Sequence, residues 1–390
     1  GMRICFVSDQ SFPPRGGEGI STQNFSYKLR ERGHQITLLT SRVKNPPPAE
    51  GIKIYRFLSF SCPGGKGPLA FPHLREVLTI LRKEKVQIVH INLPTYLGWQ
   101  VLKAAKRLGI PVIMGFHVQV GNVVSSPRPL LLPLKVIILR WFSYFYQRGD
   151  FLVTPSHFAA RILEELTKRP YEVVSNGVDL KEFNPGKISA RKLSDFKRKY
   201  DLEDEPLLLY VGRLSREKNV EYLLKIMEVM RKKGWRTRLL IVGEGGLRAH
   251  LDKGIKKLKM EREVVMTGYL GGEELLCAYL SGDVFLLPSF NELQSIATIE
   301  AMAMKCALLI GRNEENAAQE LVKEGINGYL FRLEDPEDAV EKIMRILSNE
   351  TLKRSMQEAS FQMIQTHNIE NSILKVEKIY QRLLKMGGIL

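Results

Sequence analysis

The chain reads as an α/β protein built from two doubly wound, Rossmann-like domains facing a central cleft. Its 390 residues are enough for two domains that each bury a core of their own. Short apolar runs alternate with longer amphipathic stretches, which is the pattern of parallel sheets with helices on both faces. That alternation runs through the first half and starts again in the second.

In the first half, apolar strand patterns fall at 3–8, 35–40, 87–92, 111–116, 151–154 and 172–175, with helical stretches such as 21–32 and 98–108 between them. In the second half they fall at 207–212, 238–243, 263–267, 284–288 and 306–311. Asn184-Pro185-Gly186 is a strong turn signal, and a polar, charged stretch follows it. The reading is therefore an N-terminal domain over 1–185, a linker over 186–205 and a C-terminal domain over 206–368. A last helix over 369–390 carries Ile373, Val376, Ile379, Tyr380 and Leu383 at spacings of three and four, and is read as a brace on the domains. Ligand sites are expected beyond the carboxyl ends of the strands.

Composition removes several classes. With 44% hydrophobic and 26% charged residues, the chain is not disordered. Cys5, Cys62, Cys277 and Cys306 lie far apart with no Cys-x-x-Cys pair, so neither a disulfide framework nor a zinc site is expected, and a reducing cytoplasm fits. No apolar run reaches the ~20 residues of a bilayer span. Asp-x-Asp is absent, and Asp201, Glu203 and Asp204 read as a solvated connection, so no metal site on a diphosphate is expected. The net charge of +16 is uneven: residues 1–185 carry 25 Lys+Arg against 12 Asp+Glu, and residues 186–390 carry 33 against 30. A basic first half calls for an acidic partner: nucleic acid, an anionic membrane or a phosphorylated substrate. Nucleic acid is disfavoured, because no recognition motif is visible and the cations are not interleaved with stacking aromatics.

Three motifs carry chemistry. The run from Ser8 to Gly19 follows the first strand, and its Gly16-Gly17 pair lets backbone approach a phosphate at a helix start. The run Val211-Gly212-Arg213-Leu214-Ser215-Arg216-Glu217-Lys218-Asn219 ends a strand and sends out two cations suited to a diphosphate; surface ion pairing with Glu217 or Glu221 is the alternative. The run from Pro288 to Met304 holds Glu292 in a turn and Glu300 inside an apolar helix. Carboxylates there either accept sugar and ribose hydroxyls or serve as a helix cap and a buried ion pair.

In this order and spacing, the motifs resemble the family 4 retaining glycosyltransferases (glycosyl transferases group 1), which have the glycosyltransferase-B fold. The resemblance covers nearly the whole chain. It adds Arg32-Gly33-His34, Gly115-Phe116-His117, Asn176-Gly177-Val178-Asp179 with Phe183, Val242-Gly243-Glu244-Gly245, Gly268-Tyr269, Glu320-Leu321-Val322 and Gly325-Ile326-Asn327-Gly328. It implies that Gly16 and Gly17 approach the donor diphosphate, that Arg213 and Lys218 neutralise it, and that Glu300 binds the ribose. It also implies that Glu292 holds the transferred sugar, that backbone at Tyr269 and Leu270 meets the base, and that His117 lies near the sugar on the acceptor side. The backbone of Leu293, Gln294, Ser295 and Ile296 would complete donor binding. Leu293-Gln294-Ser295 stands where the family usually has a Gly-Phe-Gly-like run, which bears on donor identity, and Lys305 and Ala307 replace a usual Gly and Pro.

The implied reaction moves a hexosyl unit from a UDP- or GDP-sugar to a hydroxyl without a metal or a cofactor, by a front-face course, with the cations stabilising the leaving diphosphate. Two first-half segments point to the acceptor: 59–72, with Leu69 and Phe71, and 122–148. Lys135, Arg140, Ser143 and Gln147 fall on one side of a helix there, and Trp141, Phe142, Tyr144 and Phe145 lie elsewhere on it. Such an element suits an anionic membrane, or else packs in the core. A membrane lipid or lipid-linked glycan is the leading acceptor, with the protein peripheral at the inner face of the cell membrane. The alternatives are a soluble acceptor, or a nucleotide-sugar hydrolase or epimerase on the same frame.

Overall fold

The computed structural model describes residues 1–62, 67–119 and 132–387. The chain divides into two compact units: Gly1–Asn176 with Glu370–Leu390, and Gly177–Ile369.

The first unit holds β1 (Arg3–Val7), α1 (Gly16–Glu31), β2 (Gln35–Ser41), β3 (Lys53–Phe57), the hairpin strands β4 (Ser59–Ser61) and β5 (Pro68–Ala70), and α2 (Leu74–Lys83). It continues with β6 (Ile88–Ile91), α3 (Tyr96–Leu108), β7 (Val112–Gly115), α4 (Leu132–Tyr146), β8 (Phe151–Thr154), α5 (His157–Leu166) and β9 (Tyr171–Val173). Seven strands form one parallel sheet in the order β3-β2-β1-β6-β7-β8-β9. The central strands are apolar along their length because helices cover both sheet faces; Ile88, Val89, Ile113 and Met114 are all buried. Helix α1 begins at Gly16, five residues before the pattern start at Ser21, so Gly16 and Gly17 form its first turn. Gly16 takes φ +70° there, a conformation that favours glycine.

The second unit holds α6 (Ala190–Lys199), β10 (Leu207–Val211), α7 (Glu221–Lys232), β11 (Arg238–Val242), α8 (Arg248–Lys257), β12 (Val264–Gly268), α9 (Gly272–Ser281) and β13 (Val284–Leu287). After these come α10 (Ile296–Ala303), β14 (Ala307–Arg312), β15 (Gly328–Arg332), α11 (Pro336–Leu347) and α12 (Glu350–Ile364). Its sheet is parallel, in the order β12-β11-β10-β13-β14-β15.

The unit boundary differs from the reading at 186–205. That stretch contains α6, whose Phe196 is buried and whose Lys192 and Lys199 pair with Glu273 and Glu274 of α9 at 2.9 and 3.4 Å. It is part of the second unit, and the changeover falls at Asn176/Gly177. The last helix, α13 (Ile369–Gly387), belongs to the first unit. Ile373, Val376, Ile379 and Tyr380 are buried, the Tyr380 hydroxyl lies 2.6 Å from His90 Nδ1, and Glu377 meets Arg32 and His34. Counted by these units, the first carries 28 Lys+Arg against 12 Asp+Glu and the second 30 against 30, so the whole net charge of +16 resides on the first.

Candidate active site

In each sheet the strand order reverses once, between β1 and β6 and between β10 and β13. Connections on either side of such a point leave in opposite directions, which opens a crevice at the carboxyl ends of the two strands. Arg213 and Lys218 follow β10 and Glu292 follows β13, while Gly16 and Gly17 follow β1; His117 follows β7 and Glu300 lies inside α10, away from these points in the chain.

In the second unit the crevice is stitched by backbone. Gly212 donates to Val242, Leu214 to Glu244, and Phe290 to the Glu217 carbonyl. Asn219, in the left-handed region at φ +54°, ends the short turn Arg216–Lys218 and reaches the Pro288 carbonyl through Nδ2 at 3.1 Å. This brings Lys218 to Glu292: Nζ lies 2.6 Å from Oε1, and Ser289 Oγ donates to the same oxygen at 3.0 Å. Glu292 is buried, and its backbone is fixed by a bridge to Asn316, whose side chain binds the Ser289 and Gly311 carbonyls. The alternative partners of Lys218, Glu217 and Glu221, are not the ones it takes. Arg213 is half-buried on the same loop, its carbonyl accepts from the Tyr210 hydroxyl at 2.7 Å, and its guanidinium has no ion pair among the described residues.

Glu292 does not cap the following helix. Ser295 does, accepting from the Thr298 N–H at 3.2 Å, so the polar reading of this loop separates into one buried carboxylate and one hydroxyl cap. Leu293, Gln294 and Ser295 are buried in the turn that feeds Ile296 at the helix start. Glu300 forms no salt bridge among the described residues. Its Oε1 accepts from the Tyr279 hydroxyl at 2.8 Å, and burial pushes its pKa up to about 8, partly opposed by that hydrogen bond and helped by nearby Glu182. Tyr269 and Leu270 follow β12; the ring of Tyr269 is exposed and Leu270 is buried.

In the first unit, Gly16 and Gly17 start α1 directly after the β1 loop, where Arg15 donates to the Gln10 carbonyl at 2.9 Å. Beneath them runs a hydrogen-bond chain that sequence reading missed. Glu18 accepts from Ser8 at 3.0 Å and from Thr22 at 2.9 Å, and Thr22 accepts from Asn92 Nδ2 at 2.8 Å. Burial pushes Glu18 up to about 7. Asp9 is raised to about 6 by burial, against hydrogen bonds from Ala70 N–H and Thr95. A Cβ on Gly115 would lie 2.2 Å from Asn92 Oδ1 and 2.8 Å from His117 Nε2, so the absent side chain leaves room for both groups at the end of β7. His90, Asn92, His117 and Asn176 line a small cavity of about 20 Å³, room for one water. Burial holds His117 neutral, down at about 4, and His90 at about 3, where His117 adds to the effect. The signal for Asn92 was present in the strand pattern at 87–92, but nothing local marked its side chain as part of a site. Among the described residues no group of three or more His, Cys, Asp or Glu could hold a metal.

The comparisons agree with this architecture. The Glycosyltransferase Family 4 pattern matches residues 15–182 and the Glycosyl transferases group 1 pattern matches 194–363. The chain is 28% identical over 356 residues to the sulfoquinovosyl transferase SQD2 of Arabidopsis thaliana, covering 88% of this chain and 66% of that protein. It is 23% identical to the alpha-monoglucosyldiacylglycerol synthase of Streptococcus pneumoniae, over 98% of this chain and 91% of that one. It is 29% identical to a GDP-mannose-dependent alpha-mannosyltransferase of Mycobacterium tuberculosis, over 78% and 77%. Among solved structures, the sucrose-phosphate synthase of Thermosynechococcus elongatus superposes with a TM-score of 0.79 at 19% identity, covering 99% and 100% of the two chains. Anabaena HepE in complex with UDP-glucose superposes with a TM-score of 0.77 at 16% identity, covering 99% and 100%.

Two Rossmann-like units with these strand orders have the glycosyltransferase-B fold, and the two matching patterns make the chain a glycosyltransferase. The chain belongs to glycosyltransferase family 4, with a group 1 glycosyl transferase domain in its second half.

Proposed function

We propose that the chain is a retaining, metal-independent transferase that moves a hexosyl unit from a UDP- or GDP-sugar to a hydroxyl of a membrane lipid or lipid-linked glycan. The observation that carries this reading is the Lys218–Glu292 contact that joins the loops after β10 and β13, with Arg213 on the same loop as Lys218. It supports a reading in which cations on that loop meet a diphosphate and the carboxylate meets a sugar hydroxyl. Arg213 and Lys218 take up the charge that grows on the leaving diphosphate. Glu292, held by Lys218 and Ser289, accepts a sugar hydroxyl. Glu300 accepts the ribose hydroxyls, backbone at Tyr269 and Leu270 meets the base, and the turn Leu293–Ile296 lies along the sugar.

In the reacting step the bond from the anomeric carbon to the diphosphate oxygen breaks as the bond to the acceptor oxygen forms on the same face. The acceptor proton passes to the departing phosphate oxygen. A double displacement needs a carboxylate on the far face of the sugar, and neither Glu292 nor Glu300 is read in that role. His117, neutral through burial, serves as a hydrogen-bonding group near the sugar rather than as a strict base.

The lipid acceptor draws support from the pneumococcal relative, whose name specifies a glucosyldiacylglycerol. In this reading contact with that acceptor is peripheral; no described helix is long and apolar enough to cross a membrane. A thermal-shift series over nucleoside diphosphates identifies the donor nucleotide, because a ligand at ~100 times its dissociation constant adds roughly 2.7 kcal/mol of stability. Incubation with labelled nucleotide sugars and lipid extract follows. Absence of transfer from every donor refutes the proposal. Consumption of donor without any acceptor, followed by proton NMR of the product, would instead mark a hydrolase or an epimerase. Transfer only to water-soluble glycans would replace the lipid.

A further inference from the structure

Six aromatic rings form an unbroken run across the first unit. Phe60, on the β4 strand, lies 5.8 Å from Phe71, which lies 5.5 Å from Tyr96 at the start of α3. Tyr96 then meets Trp99 at 6.3 Å, Trp99 meets Trp141 of α4 at 5.9 Å, and Trp141 stacks on Tyr144 at 5.7 Å. The run is anchored from below, since Trp141 Nε1 donates to the Pro94 carbonyl at 2.8 Å. It is also open to solvent: Phe60 is 62% exposed, and Phe71, Tyr96 and Tyr144 are each exposed by 40% or more.

Helix α4 explains why the run is exposed. Phe142, Phe145 and Tyr146 point into the core. Leu134, Ile137, Trp141 and Tyr144, at spacings of three, four and three, share another face, and on it Leu134 and Ile137 are 49% and 62% exposed. The helix is thus apolar on two sides, and packing accounts for one of them. A contiguous exposed apolar and aromatic patch on a folded unit marks a contact surface.

Charge selects the occupant. Lys103 Nζ sits 3.8 Å above the Trp99 ring, and the Arg148 guanidinium sits 3.3 Å above Tyr144. Past Tyr144 the surface opens into a groove where Arg140, Arg148, Arg161 and Lys168 outnumber Glu164 and Glu165. These cations belong to the unit that carries the entire +16, while the other unit is neutral. Aromatic rings flanked by cations are the chemistry of a bilayer interface with anionic headgroups: rings settle at the headgroup boundary and Lys and Arg meet the negative surface.

We propose that the face from Phe60 to Tyr144 docks the first unit onto an anionic lipid bilayer. The inference deepens the lipid-acceptor reading and rests on it for its purpose. Binding to vesicles is read without donor or turnover, so the two ideas fail separately.

The test is co-sedimentation with vesicles of phosphatidylcholine containing phosphatidylglycerol, against vesicles of phosphatidylcholine alone. The wild-type chain binds the anionic vesicles and binds the neutral ones far less. Phe60→Ser with Ile137→Ser lowers binding by about tenfold or more, the loss expected for apolar side chains withdrawn from the interface. Lys103→Gln with Arg148→Gln lowers it by about fivefold per cation on anionic vesicles only. The thermal unfolding midpoint read by circular dichroism stays at the wild-type value in both variants, which shows that they remain folded. Independently of either, Trp235→Phe leaves Trp99 and Trp141 as the fluorescent indoles, and brominated acyl chains in phosphatidylglycerol vesicles quench them. No sedimentation with anionic vesicles, equal binding by the variants, or no quenching overturns the proposal. Concentration-dependent dimerisation in the absence of lipid, abolished by the Phe60 and Ile137 changes, would also overturn it and give the face to a second copy.

Discussion

Lys218 and Glu292 are joined by a 2.6 Å contact that ties the loop after β10 to the loop after β13. The Glu292 carboxylate is 3% exposed and the Lys218 side chain 21%, so water screens the pair only from the lysine side. Removing one partner leaves the other charge with little solvent, a costlier event than removing both. Lys218→Met should therefore lower transfer by ~10²-fold or more and cost up to about 3 kcal/mol of stability. In the Lys218→Met background, adding Glu292→Gln should recover part of that stability without restoring transfer. Urea midpoints and turnover on the four members of the cycle measure both effects, and strictly additive stability changes would contradict the pairing.

Glu300 supplies a pH signature. Its pKa is raised above the ordinary 4.5 to about 8 by burial, so the folded chain holds the proton more tightly than the unfolded one. The resulting stabilisation is full below the unfolded value and is lost as pH rises through 8. Glu300→Gln keeps a neutral group of similar shape and should flatten that slope, gaining on wild type as the solution becomes alkaline. Tyr279→Phe removes the hydrogen bond that favours the carboxylate and should move the loss to higher pH. Denaturant midpoints across this range decide it, and parallel pH profiles for Glu300→Gln and wild type would refute the assignment.

Gly115 tests the first unit. A methyl group there would fall 2.2 Å from Asn92 Oδ1 and 2.8 Å from His117 Nε2. Gly115→Ala should displace both and lower transfer by about tenfold or more, the scale on which misplaced catalytic groups are felt. The donor-nucleotide thermal shift should hold, because the residues assigned to the base and the ribose, Tyr269, Leu270 and Glu300, lie in the other unit. A variant with normal turnover would remove His117 and Asn92 from the site.

Gly243 tests the crevice of the second unit. Its φ is +140°, and a Cβ would lie 1.9 Å from the Gly212 carbonyl oxygen. Both atoms are held by backbone, so nothing flexible can give way. Gly243→Ala should cost about 3 kcal/mol and weaken the donor-nucleotide thermal shift, since Gly212 precedes Arg213. A urea midpoint matching wild type would show that this close approach is not needed.

Much of this was legible in the residues. The strand at 35–40 reappears as β2, and that at 238–243 as β11, because continuous apolar runs bounded by turn residues are a local signal. Strands β3 and β15 escaped notice: KIYRF and GYLFR sit at sheet edges, where one side stays wet and cations interrupt the apolar run. The pattern for α1 began late because Gly16 and Gly17 are poor helix formers, yet the first turn tolerates them. Glu292 and Glu300 stood out as acids in apolar surroundings, but their partners did not. Tyr279 and Ser289 look like ordinary core and loop residues until the backbone brings them to a carboxylate.

By itself the sequence determined which segments become strands, which loops carry glycine, cations or carboxylates, and in what order those loops occur. Side-chain chemistry and periodicity are properties of neighbouring residues, and they survive without any knowledge of the fold. Only the tertiary structure decided that Lys218 meets an acid 74 residues away rather than Glu217 or Glu221. It also returned α13 to the first unit and laid rings from a hairpin and two helices end to end. Those outcomes depend on which strand ends become neighbours in a sheet, and sheet order is set by the packing of the whole domain.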